Sequence, residues 1–165
     1  MTKQKNIPLI AAAVLCAVSL VTMIATLVLT QNNREPQVFV PPPFEEQALQ
    51  GVPEVPSDLG WSELDAKVYK ASVCGVVTVT DGEADVWFTN PESNTVWLKL
   101  RVLDAKGNIL GETGLIRPGE YVRSVSFDTI PKPGDTIGLK LMAYEPETYY
   151  SAGSATLNTV VAGGT

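Results

Sequence analysis

Alternating carboxylates are the first residues in this chain that could do chemistry. Asp81, Glu83 and Asp85 lie in the segment DGEAD, and carboxylate oxygens are ligands that Ca²⁺ prefers. The same pattern also fits a hairpin, because Asp81 and Gly82 form a favoured two-residue turn and alternate residues of a strand share one face. We therefore expect a hairpin whose acids face solvent, with no metal ion.

Nucleophilic catalysis lacks its usual residues. The chain contains no histidine, which excludes Ser-His-Asp and Cys-His groups as well as imidazole metal ligands. Cys74 has no basic residue nearer in sequence than Lys70, so we expect a buried, inert thiol. The other cysteine, Cys16, lies in a long apolar run. The sequence predicts a protein that is not an enzyme and needs no cofactor.

Aromatic side chains are the remaining candidates for a binding site. Trp87 and Trp97, with Lys99 and Arg101 close by in sequence, form the candidate interaction face. Two exposed tryptophans on a sheet would suit stacking on carbohydrate or a protein partner, whereas a small β domain also needs large side chains to fill its core. Both interpretations apply to the other aromatic candidates, which are Trp61, Tyr144, Tyr149 and Tyr150.

An uncharged run decides where these residues are displayed. Residues 7–30 contain no Asp, Glu, Lys or Arg, and a helix of that length spans roughly 36 Å, enough to cross a hydrocarbon core of about 30 Å. A cleavable signal peptide has a shorter apolar core with small residues at its exit. A lipoprotein needs a small residue before the lipidated cysteine, where this chain has Leu15. We predict an uncleaved transmembrane helix that lies in the lipid bilayer.

Charges on either side of the run predict its orientation. Lys3 and Lys5 precede it, while Arg34 is followed by an acid and the next base is Lys67. The positive-inside rule then assigns residues 1–6 to a cytoplasmic tail. We predict a single-pass protein of the cell membrane whose C-terminal domain is extracellular.

A proline-rich acidic tether is predicted over residues 31–65. Residues 35–65 hold seven acids and no base, and the tether contains six of the twelve prolines. Proline runs form stiff, extended spacers. The segment VFVPPPF is more apolar than a spacer needs, so its side chains either rest on the membrane or the domain, or they dock on a partner. The residues of this candidate linker motif are Val38, Phe39, Val40 and Phe44.

Residues 66–165 carry strand periodicity. Apolar and polar residues alternate, and turn signals such as Asp81-Gly82 and Pro118-Gly119 separate the runs. This pattern predicts an all-β domain, an immunoglobulin-like or fibronectin-III-like β-sandwich of about seven strands. The candidate strands are residues 67–72, 74–80, 83–89, 95–103, 109–112, 121–127, 136–144 and 154–161.

Two arrangements are open for residues 83–89 and 95–103. If they form a hairpin, Trp87 faces Trp97 and Asp85 faces Lys99, with an apolar set on the other face, as cross-strand energetics favour. Alternatively, the loop between them crosses from one sheet to the other, as it does in immunoglobulin-like domains.

Turn chemistry in the run ADVWFTNPESNTVWLKLRVLDAKGNILGETGLIRPGEYVRSVSF carries a resemblance. Asn90-Pro91 closes a strand, Asp104 and Gly107 lie in a turn, and Ile116 precedes Pro118-Gly119. This pattern resembles that of small membrane-anchored proteins of Gram-positive bacteria, some associated with mobile elements, whose exported part is immunoglobulin-like. The resemblance implies a fold and a surface location, and it says little about function.

These features predict a membrane-anchored extracytoplasmic module that binds or assembles with a protein partner at the cell surface, as an accessory of a surface or transfer apparatus. A carbohydrate or cell-wall binding domain is the alternative, and a small hydrolase is disfavoured by the missing histidine. A nucleic-acid partner is excluded because the net charge is −6 and the bases are outnumbered by interleaved acids. The sequence makes no prediction of the oligomeric state.

Overall fold

An apolar helix opens the part of the chain that the structure describes. The computed structural model describes residues 7–32 and 39–163, and helix α1 covers Ile7–Asn32. Within it, the 18 residues Ile10–Leu27 are long and apolar enough to cross a membrane. The Ser19 and Thr22 hydroxyls donate to carbonyls of the preceding turn at 2.9 and 2.8 Å, which satisfies them in an apolar medium. The predicted apolar helix is confirmed, and the predicted tail of residues 1–6 lies outside the described residues.

A second compact unit begins at Pro41 and is almost entirely β. Its ten strands confirm the all-β prediction, with more strands than the expected seven. They are β1 Leu49–Gln50, β2 Trp61–Asp65, β3 Lys70–Cys74, β4 Val77–Thr80, β5 Glu83–Asn90, β6 Trp97–Asp104, β7 Ile109–Glu112, β8 Glu120–Ser126, β9 Thr136–Tyr144 and β10 Ser151–Ala162.

The strands form one curled sheet with two halves. The first half-sheet contains β1, β8, β5 and β4, with β3 beside β5 and β2 beside β3. The second half-sheet contains β10, β9, β6 and β7. A short parallel pairing joins the halves, with Val161 of β10 opposite Val77 of β4, and the other strand pairs are antiparallel.

The loop after β5 crosses between the halves. In the strand order β4, β10 and β9 lie between β5 and β6, so the hairpin hypothesis is wrong. The loop instead leads from one half of the curled sheet to the other. Asn90 fixes this loop, because its fully buried amide donates to the carbonyls of Val96 and Ile116 at 2.9 and 3.0 Å and accepts from Asn94 at 2.7 Å.

A single hydrophobic core lies between the two halves. The alternation predicted for both strands holds, because one face of each is buried even though the strands do not pair. On β5, β6 and β9 the large buried side chains of this core include Phe88, Leu98, Leu100, Leu139 and Leu141.

Residues 43–50, which we call the clasp, pack on the edges of both halves. Leu115, which follows β7, donates its N–H to the Pro43 carbonyl at 2.9 Å, and Leu49 of β1 pairs with Tyr121 of β8. The β unit therefore starts before residue 66, inside the predicted tether. β1 has only two residues, too few for alternation to reveal it. β2 has no buried residue and therefore no apolar–polar alternation to detect.

Candidate binding groove

A bulge in β5 sets the geometry of the outer face of the first half-sheet. The pairing of β5 with β8 shifts register between Asp85 and Phe88, and Trp87 within this shift has φ of 45°. A bulky residue rarely adopts this left-handed conformation, and such strain is concentrated at functional sites. A bulge of this kind redirects a side chain.

Four side chains on this face, Trp61, Trp87, Tyr121 and Arg123, form what we call the groove cluster. The Trp87 ring stacks on Tyr121 with 6.1 Å between centroids and 22° between planes, and Arg123 lies 5.3 Å from the Trp87 ring. The Trp87 carbonyl accepts hydrogen bonds from Trp61 Nε1 at 3.1 Å and from Thr89 Oγ1 at 3.0 Å. The Trp87 Nε1 is itself buried and has no hydrogen-bond partner in the described part of the chain.

A groove of about 440 Å³ lies beside this cluster. Strand register places Glu63 opposite Ser72, Ser72 opposite Thr89, and Thr89 opposite Tyr121, so these residues form a row across β2, β3, β5 and β8. The first three of them line the groove. The rest of its lining is Gln50, Gly51, Val52, Trp61, Asn90, Pro91, Glu92, Pro118 and Gly119.

The polar groups of the groove differ in how far they are engaged. Gln50 donates to Glu120 at 3.0 Å, and Glu63 accepts from Lys70 at 3.1 Å. This hydrogen bond and the charge of Glu63 raise the pKa of Lys70. The hydroxyl of Ser72, a residue only 2% exposed, makes no hydrogen bond within residues 7–32 and 39–163. The groove thus contains a recessed hydroxyl that is available to a ligand.

Trp97 lies in a different environment, on the second half-sheet. Its ring packs edge-on against Phe44 at 4.8 Å and against Tyr149 at 5.1 Å. The guanidinium of Arg117 lies over the Phe44 ring, 3.7 Å from its centroid. We call Phe44, Trp97, Arg117 and Tyr149 the clasp cluster. The structure does not bring Trp87 and Trp97 together, since β5 and β6 do not pair.

The two cations of the candidate interaction face also lie on the second half-sheet. Lys99 is only 5% exposed, and its Nζ lies 2.7 Å from Glu112 Oε1, while Arg101 Nε lies 2.7 Å from Glu112 Oε2. Burial would raise the pKa of Glu112, but the hydrogen bonds and charges of Lys99 and Arg101 outweigh it and lower that pKa. These side chains are engaged in an ion-pair group that stabilises β6 against β7.

The linker motif divides at the boundary between the two units. Val38 lies outside the described residues, and Phe39 and Val40 are exposed at 62% and 78%. Phe44 packs in the clasp cluster, as the interpretation of contact with the domain required. Of the remaining aromatic candidates, Tyr144 lies on β9 opposite Trp97. Tyr150 lies directly before β10 and is exposed.

The turn and the cysteine lie where the sequence predicted them, but Asp85 pairs with Arg123 and not with Lys99. Asp81 and Gly82, with φ of 53° and 83°, form the turn between β4 and β5. Asp85 binds Arg123 at 3.1 Å, and Glu83 accepts from two serine hydroxyls of β8. Cys74 is fully buried, and burial, with the nearby Asp85 charge, raises its pKa to about 11.

Within residues 7–32 and 39–163, no three His, Cys, Asp or Glu side chains come together as a metal site. Comparison of the sequence with protein-family models and with curated proteins gives no match. The sequence did not predict the groove, although it singled out Trp61 as an aromatic candidate. Ser72 and Thr89, which both line the groove, become neighbours only through the pairing of β3 with β5. Their small hydroxyl side chains in predicted strands were a weak signal for this site.

Proposed function

We propose that this chain is a single-pass, membrane-anchored binding module that acts outside the cytoplasm and has no catalytic activity. Helix α1 supports the anchor by length and composition. Lys3 and Lys5 before the helix, with acids dominating after it, support a cytoplasmic N-terminus. The β unit is then an extracellular immunoglobulin-like sandwich, an interpretation that the crossing of the loop between β5 and β6 favours.

The groove is the single observation that carries the binding function. A concave site of about 440 Å³ beside strained Trp87, with one aromatic wall and a recessed hydroxyl, is what a ligand site requires and what a plain spacer domain does not need. The candidate interaction face of the sequence analysis is replaced by this groove, because Lys99 is buried and Trp97 is covered by neighbouring rings.

Site-specific photocrosslinking in living cells tests this proposal. A photoreactive amino acid replaces Glu92, an exposed residue of the groove, and, as a control, Thr156, an exposed residue of β10 on the other half-sheet. We expect an adduct from position 92 and none from position 156. Protease added to intact cells should also remove the β unit and leave α1 in the membrane. Equal adducts from both positions, or protection of the β unit, would reject the proposal.

A further inference from the structure

We infer that the groove binds a neutral, hydroxyl-rich sugar chain. This inference rests on the proposed binding function and names the chemical class of the ligand. The floor, the wall and the rim of the groove each favour such a ligand.

The floor supplies hydroxyl groups. Ser72 lines the groove, and the residue is only 2% exposed. Its hydroxyl has no hydrogen-bond partner in the part of the chain that the structure describes, yet it is not one of the fully buried polar atoms without a partner, which are Tyr69 Oη and Trp87 Nε1. The Ser72 oxygen therefore reaches the open space of the groove, where a ligand hydroxyl can bind it. Thr89 beside it donates to the Trp87 carbonyl, so its oxygen still accepts. A sugar hydroxyl can both donate and accept at this pair.

The wall supplies an aromatic face. Trp61 is 37% exposed and lines the groove, and its only polar group is committed to the Trp87 carbonyl at 3.1 Å. This hydrogen bond fixes the indole and leaves the ring for contact with the ligand. The negative face of an aromatic ring attracts the weakly positive C–H groups of a sugar ring. The strained Trp87 carbonyl thus orients the wall as well as the floor.

The rim supplies acidic side chains. Glu63 and Glu92 line the groove, and the described lining contains no Lys or Arg. Lys70, outside the lining, pairs with Glu63 at 3.1 Å, so Glu92 contributes most of the negative charge. Carboxylates accept hydrogen bonds from sugar hydroxyls, and they repel phosphate or uronate groups. The charge pattern therefore selects a neutral sugar over an anionic polymer.

A basic peptide is the other occupant that carboxylates attract. Such a peptide would bind through the exposed rim and would leave the recessed Ser72 hydroxyl unused. Its binding would also weaken steeply with salt, because exposed charges are screened. Binding that depends on Ser72 and persists in salt therefore distinguishes the sugar from the peptide.

Calorimetric titration of the full chain in lipid nanodiscs tests the inference. Nanodiscs are used because many detergents carry sugar headgroups. The probes are the β-1,4-linked trisaccharides of glucose and of N-acetylglucosamine, with trilysine as the peptide probe. We expect at least one trisaccharide to bind with Kd of about 1 mM or tighter, with little change between low and high salt.

Three variants locate the binding. Ser72→Ala should weaken trisaccharide binding by about 3- to 10-fold, the effect of one hydrogen bond. Trp61→Ala should weaken it by about 10-fold or more through loss of the stacking face. Ser126→Ala, which removes an exposed hydroxyl that binds Glu83 on the same half-sheet, should bind like the unaltered chain. Circular dichroism confirms that each variant is folded, and Ser72→Ala alone decides if Trp61→Ala is not.

The outcomes separate this inference from the proposed function. Absence of trisaccharide binding, binding that Ser72→Ala leaves unchanged, or binding of trilysine alone overturns the sugar inference. In each of these cases an adduct at position 92 in cells still supports a binding module. Failure of the crosslinking experiment rejects the binding module whatever the trisaccharides do.

Discussion

Trp87 and Trp97 begin from similar sequence patterns and reach opposite situations. Trp97 in the clasp cluster has rings on two sides and an ordinary strand conformation. Trp87 in the groove cluster has φ of 45° and a buried N–H without a partner among the described residues. One tryptophan stabilises the fold, and the other is held in an unfavourable conformation that the surrounding strands impose.

The difference lies in the partner strands. β6 continues in regular register with β9, which places Tyr144 opposite Trp97. β5 meets β8 with a bulge, which turns Trp87 toward Tyr121 and frees its carbonyl for Trp61. We therefore expect substitutions in the clasp cluster to cost more stability than substitutions in the groove cluster.

The largest loss of stability should follow removal of the Trp97 ring, against which Phe44 of the clasp packs. Trp97→Ala should lower the free energy of unfolding by about 3 kcal/mol, because a packed indole leaves a cavity. Trp61→Ala should lower it by only about 1 kcal/mol, since its ring is partly exposed and the Trp87 carbonyl keeps Thr89. Urea denaturation measures the free energy of unfolding of both variants. Equal losses would contradict the expected difference between the clasp cluster and the groove cluster.

A smaller loss of stability should follow when a substitution at Gly114 pushes the clasp away. A Cβ on Gly114 would overlap the backbone of Phe44 and Glu45, so Gly114→Ala should cost about 1 to 3 kcal/mol. Trp97 fluorescence should shift to the red as Phe44 withdraws. Gly163→Ala, where a Cβ meets nothing within 4 Å, is the matched control and should change neither quantity. An unshifted spectrum in Gly114→Ala would show that the clasp does not cover Trp97.

Acid should lower the stability of the β unit through Glu112, which joins β7 to Lys99 and Arg101 of β6. Its pKa is lowered in the folded protein, so the stabilisation from Lys99 and Arg101 is complete above the ordinary pKa of 4.5 and is lost as pH falls through the lower folded value. Glu112→Gln should therefore flatten the decline of stability below about pH 4.5. Glu92→Gln, at an exposed groove residue, is the control and should keep the decline of the unaltered chain. A decline that persists in Glu112→Gln would assign acid sensitivity to other groups.

The smallest effect is expected at the strained tryptophan. Trp87→Phe removes the buried N–H that lacks a partner and also loses some ring contact with Tyr121. These contributions oppose each other, so the free energy of unfolding should change by no more than about 0.5 kcal/mol. A loss above about 2 kcal/mol would show that the lost ring packing outweighs removal of the N–H, and would contradict this expectation.

Local patterns predicted the parts of the fold that local interactions determine. The Asp81-Gly82 turn, the alternation of β5 and β6 and the burial of Cys74 follow from neighbouring residues. The apolar helix follows from composition alone. In each case the residues that decide the structure are within a few positions of one another.

Distant pairings were beyond such patterns. The groove depends on β3 lying beside β5, and its floor contains Ser72 and Thr89, which carry no motif. β1 was hidden in a proline-rich segment, because its two residues acquire strand character only from β8. The bulge at Trp87 likewise depends on the register of β5 against β8.

The clasp also has a consequence for the order in which the chain assembles during synthesis. Glu45 accepts a hydrogen bond from the Gly114 N–H across 69 positions of sequence, and Gln50 binds Glu120 across 70. Residues 43–50 leave the ribosome before any partner strand exists, and a long loop must close before they can pair. The segment nearest helix α1 in sequence is thus among the first parts of the β unit to be made and among the last to reach its final structure. Until β8 is made, the side of β5 on which it pairs is an open sheet edge, to which another chain could add a strand.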